Sequence, residues 1–300
     1  MLFLNIIAPV FIIIACGWAL ERYLHLDLVP FTISSLYLFA PALVLSALLK
    51  HPVDSIHAVD VLLFMLIYTT VMYFLAKLSA KILNIDDNCK PALTLTTAMM
   101  NVGNFGLPLS YFAFGDKGIP VAILVFVVFN IPLSTVAIVI AQGKQARLTT
   151  AINNCFKIPI LHTVFLALLL NALKIKVPLF ITRPIDLIGQ VAVPLMLVVL
   201  GMQISRTEWH ITGKFMGTAI SLRLIVAPLI AWLCCKMLNI EGLYRDVLIL
   251  QTSTPSAVLP LLYALRFDTR PDLVASTIVV TTLLSAASLT ALLYLLPLLP

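Results

Sequence analysis

Two long apolar runs of this chain are interrupted, at matching positions, by residues that do not suit a continuous helix. The first interruption reads Asn101-Val102-Gly103-Asn104-Phe105-Gly106-Leu107-Pro108-Leu109-Ser110-Tyr111. The second reads Ser253-Thr254-Pro255-Ser256-Ala257-Val258-Leu259-Pro260-Leu261-Leu262-Tyr263. A shift of 152 residues lays Leu-Pro-Leu-x-Tyr on itself and Asn-Val-Gly-Asn on Ser-Thr-Pro-Ser. Within a bilayer, irregular backbone survives only against protein or a watery cavity, because a freed N–H or C=O facing lipid costs several kcal/mol. Paired breaks at corresponding places of two halves point to the binding site of a transporter.

The bilayer follows from composition. Hydrophobic residues make up 61% of the 300, charged residues 11%, and the mean hydropathy is +1.09, against about 25% charged in a soluble domain. The net charge of +6 is no nucleic-acid signal, since Lys and Arg fall between apolar spans and no basic run is interleaved with aromatics. That placement suits loops beside anionic headgroups. The five cysteines form no C-x-x-C pair and read as small apolar residues. Within the first apolar run Ile13-Ile14-Ala15-Cys16 resembles a lipoprotein cleavage site, yet no Lys or Arg precedes the run. It is expected to be a retained first helix.

Apolar runs lie near 2–20, 29–49, 58–83, 91–113, 118–141, 158–173, 184–204, 213–238, 246–265 and 272–296. The expected fold is an all-α integral membrane protein of ten transmembrane helices. The two halves repeat: Pro9 matches Pro159, Ala40-Pro41 matches Val193-Pro194, and Lys81-Ile-Leu-Asn-Ile85 matches Lys236-Met-Leu-Asn-Ile240. The offsets of 150, 153 and 155 stay close to the 152 of the breaks, as an internal duplication would leave them. Residues 1–142 form the first five-helix repeat, 143–157 a cytoplasmic connecting loop, and 158–300 the second repeat. Five spans is an odd number, so the second copy is inverted and the broken helices 4 and 9 cross near the midplane. With both termini outside, more Lys and Arg fall on inner loops than on outer ones, which sets the expected orientation.

Within the breaks, Gly103 and Gly106 permit non-helical dihedrals, and Asn101 and Asn104 offer amides. Pro255 removes an N–H, while Ser253, Thr254 and Ser256 supply hydroxyls. The second half of each broken helix begins at the crossing, so its free N–H groups and positive dipole end suit a carboxylate. Arg223 is the one charge deep inside a span, where insertion costs at least about 2.5 kcal/mol. Two roles stay open for it: holding or attracting an anionic substrate, or a structural one, in which it caps carbonyls of a broken helix or pairs with a loop carboxylate. Its repeat counterpart at offset 155 is Tyr68. Gln190, Gln251 and Asn130 read as helix–helix glue. No span interior holds a carboxylate, which argues against a carboxylate-built ion site. The sequence contains no H-E-x-x-H, G-x-S-x-G or P-loop, so neither an enzyme nor an ATP-driven pump is expected, and no cofactor or metal is implied.

At Asn101-Val-Gly-Asn104-Phe-Gly-Leu-Pro108-Leu, with Ala113-Phe114-Gly115, the chain resembles the auxin efflux carrier family. Arg223-Leu-Ile-Val-Ala-Pro228 and Thr254-Pro255-Ser256-Ala257 resemble it too. Bacterial members are commonly assigned as malate or malonate-type permeases. The resemblance implies a scaffold of spans 1, 2, 6 and 7, a moving domain of spans 3–5 and 8–10, and a homodimer. It also implies substrate beside the crossover, carried by an elevator-like shift, with Asn101 and Asn104 as ligands and Pro255 marking the second break. The plant carriers place a proline between their asparagines and carry a long cytoplasmic loop, and both features are missing here. The expectation is therefore a secondary transporter or facilitator of a small organic anion in the inner membrane. The expected site residues are Asn101, Gly103, Asn104, Ser253, Thr254, Pro255, Ser256 and Arg223. A Na⁺-coupled symporter of the bile-acid type and an anion channel are the alternatives.

Overall fold

A chain this apolar must satisfy its backbone internally, and helices do so within each segment. The computed structural model describes residues 3–51, 55–143, 159–208 and 213–299. These residues are helical, apart from turns and one antiparallel bridge between Met100 and Ser256. The helices are α1 (Phe3–Leu24), α2 (Leu28–Lys50), α3 (Ser55–Ile82), α4 (Lys90–Ala98), α5 (Leu107–Ser134) and α6 (Val136–Gln142). They continue as α7 (Pro159–Ala172), α8 (Leu179–Ser205), α9 (Gly213–Met237), α10 (Gly242–Thr252), α11 (Leu259–Phe267) and α12 (Pro271–Leu295). Most of the expected connecting loop at 143–157 lies outside the described residues.

Among the described residues, seven helical stretches are long and apolar enough to cross a bilayer. One of them, Val102–Gln142, has 41 residues, and a straight helix of that length would be about 60 Å long, twice the hydrocarbon thickness. It is not straight. Gly115 sits at φ 61°, ψ −157° inside the run, backbone angles that only glycine adopts freely. The chain turns there without a loop. Span 7 also differs from its expected start at 184. Pro184 lies inside α8, which begins at Leu179.

Proline shapes four further helices in one way. π-helical turns occupy Phe3–Ile7, Ser35–Phe39, Val102–Gly106 and Ser221–Val226. Each is followed by a proline at the second residue of the next helical stretch: Pro9, Pro41, Pro108 and Pro228. A proline clashes with the carbonyl four residues back and offers it no N–H. Widening the preceding turn relieves the clash without ending the helix.

Small residues set the closest packing. α1 and α8 touch backbone to backbone: a Cβ on Gly17 would lie 2.1 Å from the Val198 carbonyl oxygen, and one on Gly201 2.0 Å from that of Ile14. Without a hydrophobic drive between helices in lipid, such close approach supplies the van der Waals attraction. At one end of this pair Arg206 Nε donates to Glu21 Oε1 at 2.6 Å. α2 joins α8 through Asp186, which accepts from Ser46 Oγ at 2.5 Å and pairs with Lys50 at 3.0 Å. α7 joins α2 through Asn171 Nδ2, which donates to the Leu48 carbonyl at 2.9 Å. The remaining helices pack around α4, α5 and α10.

Gly201→Val should lower the melting temperature of the detergent-solubilised protein, by the equivalent of about 1–3 kcal/mol or more. Gly217→Ala, with nothing within 4 Å of the added Cβ, should be neutral or stabilising by up to about 1 kcal/mol. Equal losses in the two variants would refute the α1–α8 packing argument.

Candidate functional site

Both expected interruptions are present, and they meet. α4 ends at Ala98, Met99 and Met100 run extended, and the chain resumes helix through the π turn at Val102–Gly106. α10 ends at Thr252, and residues 253–258 are non-helical before α11. The Asn101 amide donates to the Pro255 carbonyl at 2.8 Å, and the Ala257 amide to the Met99 carbonyl at 2.9 Å. The two breaks are thus clasped main chain to main chain. Each satisfies part of what the other lost.

The last carbonyls of α4 and α10 have no intrahelical N–H to accept from. Side chains meet that need one carbonyl at a time. Ser256 Oγ donates across the clasp to the Thr96 carbonyl at 2.6 Å. Ser253 Oγ donates to the Ile249 carbonyl at 2.6 Å, and Thr254 Oγ1 to that of Gln251 at 2.7 Å. The Ser256 amide in turn donates to Thr281 Oγ1 of α12 at 3.2 Å. The three hydroxyls expected to face a ligand therefore donate to backbone in this conformation.

Arg223 completes the capping. It lies on the π turn of α9 and is fully buried. Its Nη1 donates to the Thr97 carbonyl of α4 at 2.9 Å, and its Nη2 to Tyr68 Oη at 2.8 Å and to the Thr252 carbonyl of α10. Tyr68 Oη donates to that same Thr252 carbonyl at 2.9 Å. Of the two roles open for Arg223, these bonds match capping. One guanidinium serves both broken helices, and it also meets Tyr68 of α3 while doing so.

Asn101 differs from its neighbours. It is buried, and its Nδ2 has no hydrogen-bond partner, although burying an amide unpaired costs about 1–3 kcal/mol. Asn104 and Gly103 are half-buried, and a Cβ on Gly103 would meet the Phe126 ring at 2.8 Å. Gln251 reaches from α10 to Ser110 of α5, Nε2 to Oγ 3.1 Å, with its Oε1 buried and unpartnered beside Gly106. Asn130 donates within its own helix to the Phe126 carbonyl at 2.6 Å, and Gln190 is exposed. Thr96, Thr97 and Thr252 escape a sequence reading, because they act through main-chain oxygens that every residue type carries.

Ser256→Ala should lower stability by about 1–3 kcal/mol, because the buried Thr96 carbonyl loses its donor. Ser253→Ala should cost less, since the Ile249 carbonyl also accepts the Ser253 amide at 3.1 Å. Thermal melts of the two variants decide the order, and the reverse order would discount the capping argument.

The profile of a family described as "Membrane transport protein" matches residues 2–293. An uncharacterized transporter of Methanocaldococcus jannaschii is 30% identical over 214 residues, covering 69% of either chain. A second, from Methanothermobacter thermautotrophicus, is 27% identical over 83% of this chain and 82% of its own. A Rhizobium meliloti protein bearing the name "Putative malonate transporter" is 26% identical over 86% of this chain and 84% of its own. With apolar helices for several crossings and a match along nearly its whole length, the chain is a multi-pass membrane protein that belongs to this membrane transport family, that of the auxin efflux carriers.

Proposed function

We propose that the protein carries a small organic anion, a mono- or dicarboxylate, across the inner membrane by alternating access, with the substrate at the clasp of the two broken helices. The observation that carries this reading is the buried, unpartnered Nδ2 of Asn101 at the point where the breaks meet. An amide left without an acceptor in a low-dielectric setting is a standing offer to a carboxylate oxygen. The helices that restart beyond the breaks, the turn at Val102–Gly106 and α11, add N–H groups and positive dipole ends. Asn104, Gly103, Ser253, Thr254, Pro255 and Ser256 complete the lining, and Arg223 holds the two helix ends together behind it. The name of the Rhizobium meliloti relative supports a dicarboxylate.

The arrangement is ten spans in two inverted five-helix repeats, 1–142 and 158–300. The seven long stretches become ten when α4 with the restart up to Gly115, α7, and α10 with α11 are each counted as one crossing. The hydrogen bond between Arg223 and Tyr68, equivalent residues of the two halves, supports a pseudo-two-fold axis passing between them. Movement is elevator-like, in a homodimer with both termini outside. The clasp and its caps travel with α3–α6 and α9–α12, against a scaffold of α1, α2, α7 and α8. The backbone packing and ion pairs that unite the scaffold helices support this division.

In reconstituted vesicles, Asn101→Ala should reduce saturable malonate or malate flux by about tenfold or more, the loss expected when one charge-assisted hydrogen bond is removed. Its melting temperature should stay near wild type, because Nδ2 holds no protein partner. Unchanged flux would remove Asn101 from the site. Unsaturable current in place of saturable flux would make the protein a channel.

A further inference from the structure

We infer that the Arg223 guanidinium occupies the position of a coupling cation, so that this protein holds permanently, as a tethered charge, what a sodium-driven relative would have to bind from solution. This deepens the transport reading and rests on it for its consequence in flux.

The argument starts from the ends of two helices. α4 and α10 both stop inside the protein at their C-termini, and each such end carries roughly half a negative elementary charge. The two ends converge on one side chain: Thr97 of the last turn of α4 and Thr252 at the end of α10 both present carbonyls to Arg223, and Tyr68 Oη is the third oxygen in contact. Two half charges sum to about one, which is the charge of the guanidinium. Among the described residues Arg223 forms no ion pair with a carboxylate. Its counter-charge is the pair of helix ends.

Convergent carbonyls at the C-terminal ends of broken helices are the environment in which transporters coordinate Na⁺. The guanidinium differs from a bound ion in one respect: it never leaves. A site that Na⁺ fills only on one side of the membrane ties substrate binding to the sodium gradient, whereas a covalently held charge keeps the anion site assembled in every state. The expected consequence is substrate flux that is indifferent to replacing Na⁺ by choline.

The test removes the charge and asks whether a free cation can replace it. Arg223→Ala and Arg223→Gln expose the same three oxygens without a cation, and Arg223→Lys keeps one. Melting temperatures are measured in sodium, potassium, guanidinium or choline chloride at about 100 mM with no organic anion present, so a wrong substrate assignment leaves the result untouched. The neutral variants should melt below wild type in choline and recover by about 5 °C with Na⁺, K⁺ or guanidinium, as mass action requires of a ligand well above its dissociation constant. Wild type and Arg223→Lys should show no such recovery. Neutral variants that fold in none of these salts, beside a folded Arg223→Lys, would equally support a requirement for charge. A neutral variant that stays folded but responds to no cation would overturn the inference, and so would loss of Arg223→Lys together with both neutral variants.

Discussion

Two unfinished helices, ending where no water is guaranteed, set the conditions for everything around them. α4 and α10 each leave carbonyls without intrahelical partners at their C-termini, and a lone carbonyl in an apolar medium costs several kcal/mol. The clasp, the serine and threonine caps, Tyr68 and Arg223 all answer that one demand. Remove the breaks and none of these polar groups has a reason to be buried. Keep them, and most of these polar groups acquire an assigned acceptor, with Arg223 Nε and Asn101 Nδ2 left over.

The satisfied carbonyls and the unsatisfied amide lie at opposite ends of one electrostatic arrangement. C-terminal ends bring negative potential, which Arg223 neutralises. The restarting helices bring positive potential, which nothing among the described residues neutralises, and Asn101 Nδ2 stands at that end without an acceptor. On the transport reading proposed above, that asymmetry favours an anion over a cation as the ligand.

Much of this was legible in the sequence, because Gly, Asn and Pro seldom gather inside an apolar run unless the helix breaks there. The second break fell at Ser253-Thr-Pro-Ser256, whereas the first came about two residues early, at Met99–Asn101, and Val102-Gly-Asn104 already belongs to the π turn that restarts the helix. Arg223 stood out as the single interior charge, yet its partners are main-chain oxygens, which have no letter in a sequence. The hydroxyls of Ser253, Thr254 and Ser256 were expected to face a ligand, whereas their donors go to helix ends, since a sequence records a hydroxyl but not its direction. The described residues hold seven long stretches where ten were expected: Val102–Gln142 is one helical run kinked at Gly115, and helices of nine to fourteen residues are too short to register as crossings.

The clasp itself is made of Asn101 N to Pro255 O and Ala257 N to Met99 O, bonds in which no side chain takes part. Main-chain bonds are indifferent to the side chains carried at those positions. Met99, Met100 and Ala257 contribute to the crossing through main chain, while their buried side chains only pack around it. Pro255 lacks only an N–H, and that is not the group the clasp uses. Architecture and ligand chemistry are in this way written in separate alphabets, the first in amides and carbonyls, the second in side chains. Side chains around such a crossing can be exchanged while the main-chain bonds that hold it stay the same.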